Sequence, residues 1–303
     1  MPARAQQLDT GPTEVVFGLY LFGVDHIDLV DNSFDASLWM WWTFRDSGFD
    51  PTTELQLVRP GRIEFSEVFR ERRRDGNRWV FARLDVHASA ALDASRYPFD
   101  SQKLVLEFET QTGARQIRFV PDLAEITIKQ RGVFSPGWRV TGLVADTEVH
   151  TYPTTFGLDQ ADADQYSRIL VSIDVAREAG PLVASQFVGF LVAAILVLMT
   201  YLVRIEQVSI PTGLLTAAVF ASVINQFAVN RDIGAPGRSL IADVGAVTAF
   251  LMALVGFLAA IYMDRLNAQH RHHAVSVTNR TAAGASWALL IAAVIYCSSI
   301  AVF

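Results

Sequence analysis

The chain has 303 residues, 51% of them hydrophobic, and a formal net charge of −6. That length accommodates one water-exposed domain plus a membrane domain, and the acidic balance argues against a nucleic-acid partner. The single cysteine, Cys297, rules out an intrachain disulfide and reads as a small buried apolar residue of the last hydrophobic segment.

Met1 to Pro12 lacks a charged-then-apolar pattern and is not read as a signal peptide, which leaves a mature form or a start further upstream. From Thr13 to about Ala176 short alternating segments are broken by turn residues, the pattern of an antiparallel β-sandwich. In Phe34 to Arg45 the residues Phe34, Ala36, Leu38, Met40 and Trp42 form an apolar face, while the opposite face carries Trp39 and Trp41. Arg70 to Arg74 is a charge run ahead of Asp75-Gly76, a dipeptide suited to a tight hairpin because both residues tolerate positive φ; a solvated turn is the plain alternative. Strands follow at Arg78 to Ser89 and Lys103 to Glu109. Trp138 to His150 and Tyr166 to Ala176 read as a hairpin pair, joined by the acidic link Thr151 to Gln165, a tip of the kind that carries function.

The second half is different in kind. Pro181 to Val203, Gln207 to Asn230, Val244 to Met263 and Thr281 to Phe303 are almost free of charge, and each reaches the roughly 20 residues needed to cross a bilayer. The chain therefore divides into an extracytoplasmic β domain at 1–178 and a four-helix transmembrane domain at 179–303, with helices at 181–203, 207–230, 240–263 and 281–303. A re-entrant second stretch is the alternative. Arg204, Arg265, Arg271 and Arg280 in the first and third inter-helix loops outnumber Arg231 and Arg238 in the second, which places those two loops in the cytoplasm and the β domain and C-terminus outside.

Ser209, Pro211, Thr212, Gly213, Thr216, Ser222, Asn225 and Gln226 make the second stretch too polar for a lipid-facing helix. On a helical wheel Ser209, Thr212, Thr216, Val219, Val223 and Gln226 share one stripe, and copies around an axis give hydroxyl rings below valine rings, with Glu206 as a carboxylate ring at the cytoplasmic mouth. Close helix packing by small residues, neutralisation of Glu206 by Arg204, and a rotation that puts Phe220 and Phe227 on the axis are the competing readings. His270, His272 and His273 fall in the third loop and read as solvated rather than metal-binding; His26 and His87, in the β domain, are candidates for proton sensing of a kind that any β domain offers. There is no nucleophile elbow, phosphate loop or metal-spaced His/Glu pair, so neither an enzyme nor a cofactor is expected.

Arg96-Tyr97-Pro98-Phe99-Asp100-Ser101-Gln102, ahead of a strand in a sandwich that precedes four helices, resembles the signature loop of the pentameric ligand-gated ion channels, the Cys-loop receptor superfamily, in its prokaryotic form. Ala90 and Leu104 stand where animal members carry the loop's two cysteines. Val16 to Leu21 followed by Asp25-His26-Ile27-Asp28 resembles the first strand and its turn, Phe134 to Trp138 the entry to the ninth strand, and Gly180-Pro181 the start of the first helix. The stretch between Asp46 and Arg78 is shorter than the family's, and the tryptophan-proline run of the family's ligand pocket is not found.

The resemblance implies a homopentamer in a bacterial inner membrane. It would be bathed by membrane lipids, gated by a small-molecule ligand or protons, and permeable to ions, with a cation preference resting on Glu206; a non-conducting receptor of the same fold is the alternative. It implies a gating interface of Asp31, Tyr97, Pro98, Phe99, Asp100, Arg177, Arg231 and Arg238, in which Asp100 either pairs with Arg177 or only caps its loop. It also implies an intersubunit ligand pocket from Trp39 and Trp41 on one side and Tyr152, Phe156 and Tyr166 on the other, whose aromatic faces suit a cationic amine. Packing of both tryptophans under the shortened segment is the alternative.

Overall fold

A computed structural model describes residues 11–45, 48–157, 165–203, 209–234 and 239–302. It resolves into two compact units. The first runs to Asp28 and continues through Asn32–Leu92 and Ser101–Ala176; the second takes everything from Arg177 onward together with Leu29–Asp31 and Asp93–Asp100.

The first unit is sandwich-like, with β1 (Thr13–Asp28), β2 (Ser33–Phe44), a one-turn α1 (Pro51–Glu54), β3 (Leu55–Leu57), β4 (Gly61–Arg72), β5 (Arg78–Ser89), β6 (Ser101–Gly113), β7 (Ile117–Phe134), β8 (Trp138–Thr151) and β9 (Gln165–Arg177). One sheet has the order β4-β5-β2-β1-β7 and the other β3-β6-β9-β8. The period-two pattern read in β2 is the one observed, since Phe34, Ala36, Leu38, Met40, Trp42 and Phe44 are all buried. Alternate residues of β5, β6 and β9 (Val80 to Ala88, Leu104 to Phe108, Ile169 to Val175) meet them in one core around Phe17, Phe34, Trp42 and Phe108.

Two expectations need correction. Pairing is not wholly antiparallel, because β1 runs parallel to β7, from Thr13 opposite Ile117 to Val24 opposite Phe134. The cause lies in the turn after β6: it carries the chain from one sheet to the other, so β7 joins β1 in β1's own direction. The β4–β5 hairpin does turn at Asp75-Gly76, but only Gly76 takes positive φ, at 87°. The Gly76 N–H bonds to the Arg73 carbonyl at 3.0 Å, so this is a turn followed by a left-handed glycine rather than a two-residue turn with both centres reversed.

The second unit contains α2 (Ala179–Gln186), α3 (Val188–Thr200), α4 (Ser209–Ile233), α5 (Leu240–Ala268) and α6 (His272–Val302). The last three are long and apolar enough to cross a membrane, while α2 and α3 pass that test only as a pair bent by 44°. Helices α5 and α6 extend beyond the expected 263 and 281 and leave a connection of three residues, 269–271. Charged and polar residues such as Asp264, Arg265, Asn267 and Arg280 end the hydropathy signal without ending the helix, since arginine is a good helix former and a single Asp or Asn costs only about 0.7 kcal/mol. The real stop is His270, at φ 59°, where the Arg271 N–H reaches back to the Leu266 carbonyl at 3.0 Å. Arg265 and Arg280 are therefore helical, and His272 and His273 open α6 instead of lying in a loop.

Small residues set how closely these helices approach. Ala242, Ala246, Ala249, Ala253 and Gly256 line the buried face of α5, and a Cβ on Gly256 would stand 2.5 Å from Leu215 of α4.

Candidate functional site

Within the helical unit, the segments Leu29–Asp31 and Asp93–Asp100 gather around the two ends of the α4–α5 link. Asp100 is 3% exposed and receives a forked bond from Arg177, Nε to Oδ1 at 2.6 Å and Nη2 to Oδ2 at 3.1 Å. Of the two readings of Asp100, its pairing with Arg177 is thus what the geometry contains. The Arg177 guanidinium also lies 4.9 Å from the centroid of the buried Tyr97 ring. The Tyr97–Pro98 peptide is cis.

Ser239 fixes the loop to α5. Its hydroxyl donates to the Tyr97 carbonyl at 2.7 Å and accepts the Ala242 N–H at 3.2 Å, capping the helix, while the Leu240 N–H bonds to the Ser95 carbonyl at 3.0 Å. Sequence reasoning missed Ser239, although a serine directly before an apolar helix is a start signal. At the other end of the link Gly234, at φ 70°, lies so close to Val30 that an added Cβ would sit 2.9 Å from the Val30 Cα. Asp31 and Arg231 are exposed near these contacts; Arg238 lies outside the described residues.

Pro98 and Phe99 also line an open apolar groove of about 380 Å³, together with Phe187 and Phe190, Ile241 and Met252 of α5, and Cys297 of α6. Phe99, 42% exposed, is the loop's apolar projection.

Helix α4 has a buried face of Leu215, Ala218, Ser222, Asn225, Val229 and Ile233, at the spacing expected of one stripe. Asn225 of this face and Gln226 beside it tie neighbouring helices together: the Gly189 N–H of α3 donates to Asn225 Oδ1 at 3.0 Å, and Gln226 Nε2 donates to Asp243 of α5 at 2.9 Å. The opposite face centres on Gly213, Phe220, Phe227 and Arg231, where Phe220, Ile224 and Phe227 are 63, 67 and 70% exposed. Thr212 and Thr216 share this exposed side, whereas Val219, Val223 and Gln226 sit half-buried on its flank. The Thr216 hydroxyl donates to its own helix, to the Thr212 carbonyl at 2.9 Å. Glu206 and the side chain of Ser209 lie outside what the structure describes.

The two expected ligand-binding sets stand on different sheets of the β unit. Trp39 stacks on Tyr20 at 5.6 Å between centroids and also meets Phe22 and Phe81. Trp41 lies across Gly18, where an added Cβ would be 2.5 Å from the indole, so glycine is what allows the ring to lie flat. Beside it is an open groove of about 480 Å³ with Trp41, Trp79 and Phe81 as walls and Arg73, Asp122 and Glu125 on its rim.

On the other sheet Tyr152 is the centre of an aromatic cluster with His150, Phe156 and Tyr166, at 4.6, 5.1 and 5.8 Å. It rests on a buried ion pair the sequence did not reveal, Arg168 Nε to Glu109 Oε2 at 2.6 Å, with Arg168 Nη2 donating to the Tyr152 hydroxyl at 2.7 Å. Burial pushes the Tyr152 phenol up, and the Glu109 carboxylate adds to this against the pull of Arg168. Burial works against the charge on Arg168, but the bonds to Glu109 and Tyr152 outweigh it and hold the guanidinium protonated. The two charges face each other because Glu109 and Arg168 are paired in register on β6 and β9.

Fold and helices together define a membrane protein with an N-terminal β-sandwich-like domain followed by long apolar helices. Compared with known proteins, the chain matches no family model and no curated protein.

Proposed function

We propose that the chain is a subunit of a homopentameric ligand-gated ion channel, with α2–α3 as a bent first span and α4 lining the axis. The observation that carries the reading is the pair of holds on the α4–α5 link, Tyr97 on Ser239 and Val30 beside Gly234. A change in either loop is thereby delivered to the outer end of α4, the two-state contact that gating requires. Asp31, Tyr97, Pro98, Phe99, Asp100, Arg177, Arg231 and Arg238 belong to this transmission region.

The membrane is a bacterial inner membrane, with the β domain and the C-terminus outside. The exposed face of α4 needs copies of itself. Around an axis it would present Thr212, Thr216, Phe220, Ile224 and Phe227, so the constriction is phenylalanine rather than the valine rings expected from the wheel, and it closes by dewetting. Cation preference rests on Glu206. The ligand is a small molecule held between the Trp41 groove of one copy and the Tyr152 cluster of the next, or a proton. A second reading, a non-conducting receptor of the same architecture, is favoured by the breadth of that phenylalanine face.

Native mass spectrometry of the detergent-solubilised protein tests the assembly. A particle of five copies of the 33.4 kDa chain supports the proposal, and a monomer would sink both readings.

A further inference from the structure

On the outer side of the β1–β2 hairpin end, two imidazoles address one carboxylate. His87 Nδ1 is 2.6 Å from Asp35 Oδ1, and His26 Nδ1 is 3.2 Å from Asp35 Oδ2. The three come from adjacent strands, β5, β2 and β1, and the pairing explains why they meet: Asp35 stands directly opposite His87 on one side and Asp25 on the other. His26 follows Asp25 with φ 48°, a left-handed turn that swings its ring back over the strand instead of continuing the alternation.

We propose that His26, Asp35 and His87 form a proton-operated clasp that tightens the β1–β2 end in mild acid. Imidazole is the side chain whose charge ordinarily changes between about pH 5 and 8. With both rings neutral, the row contains Asp25 and Asp35 as like charges directly opposite each other, an arrangement that destabilises strand pairing. Two protons put two cations against the Asp35 carboxylate and offset its repulsion by Asp25.

The other charged groups around the row leave this logic intact. Arg62 of β4 stands opposite His87 and is engaged by Glu64 at 3.1 Å. Asp85 of β5 is occupied by Ser37 and by Arg83 at 3.1 Å. Asp28 and Asp31, at the turn, have contacts of their own, and Lys129 and Arg131 lie on β7 in the irregular stretch near Leu21 and Gly23.

The clasp has a route outward. Beyond Asp28 the chain enters Leu29–Asp31, which belongs to the helical unit and places Val30 against Gly234 at the end of α4. Regulation of α4 by protons through this turn rests on the channel reading. The clasp itself does not.

Hydrogen exchange of the full chain in detergent, followed by mass spectrometry at about pH 5.5 and about pH 8 and corrected for the intrinsic rate, reads the clasp directly. Protection of the segment 24–36 should rise about threefold in acid, the size expected of two exposed cross-strand pairs. In His26→Gln/His87→Gln that ratio should fall to about one, and in Asp35→Asn likewise. Asp25→Asn should instead raise protection at the alkaline end, because it removes the like-charge pair and leaves the clasp in place. An unchanged wild-type ratio, or the same ratio in the double histidine variant, overturns the proposal whether or not the protein conducts.

Discussion

Removing Arg177 isolates the most deeply buried charge of the loop and gives the sharpest energetic prediction. The side chains of Asp100 and Arg177 are only 2% and 10% exposed, and their closest approach is 2.6 Å. Two buried ions recover their desolvation cost only while both are present, so losing one costs about 3–5 kcal/mol, more than the loss of the pair as a unit. Arg177→Met should therefore lower the unfolding free energy of the helical unit by about 3–5 kcal/mol, and Asp100→Asn by somewhat less.

The double variant should cost clearly less than the sum, with a coupling of about 2–3 kcal/mol. Arg177→Lys keeps the charge but loses the fork, and should cost about 1–2 kcal/mol. Equilibrium unfolding in mixed micelles, followed by far-UV circular dichroism, supplies the cycle. Additivity within about 0.5 kcal/mol would refute the reasoning, since it would mean that the two ions do not stabilise each other.

Two further outcomes follow from local geometry. Gly234→Ala combines positive φ with a close approach to Val30 and should cost about 1–3 kcal/mol, whereas Gly284→Ala in α6, with open space around it, should be neutral or slightly stabilising; the same unfolding assay compares them. In the β unit, burial alone would push the Asp50 carboxyl up, but the hydroxyl and amide of Thr52 and the Arg70 guanidinium win and hold it below the ordinary 3.8. A depressed carboxylate contributes its stability above the ordinary value and loses it as pH falls through the lowered one. The gap in stability between wild type and Asp50→Asn should thus be full at neutral pH, about 0.5–1 kcal/mol for an exposed cap, and should close in strong acid. A gap that persists there would contradict this assignment.

The β2 alternation was legible in the sequence because one face of that strand is wholly apolar. Edge strand β4 was not, because none of its residues is buried and its Ile63, Phe65 and Val68 only lean on the core. The ends of α5 and α6 were misplaced for the opposite reason: hydropathy marks where a helix meets lipid, not where it stops. Arg177 was legible as a candidate partner for Asp100, with capping of the loop as an equal alternative. The Glu109–Arg168 pair was not, since it depends on the register of β6 against β9. The wheel of α4 identified a polar stripe but not its direction. Asn225 and Gln226 turn toward α3 and α5, where each amide finds a hydrogen-bond partner, and Phe220 and Phe227 are left facing outward.

Electrical recording from the purified protein in planar bilayers tests the central claim most directly, with wild type beside Phe220→Ala and Phe227→Ala. If α4 lines a phenylalanine-gated axis, discrete currents appear and both truncations increase the conductance or the time spent open. A membrane that stays silent for wild type and both variants, over a wide range of pH and candidate amines, would contradict a conducting pore.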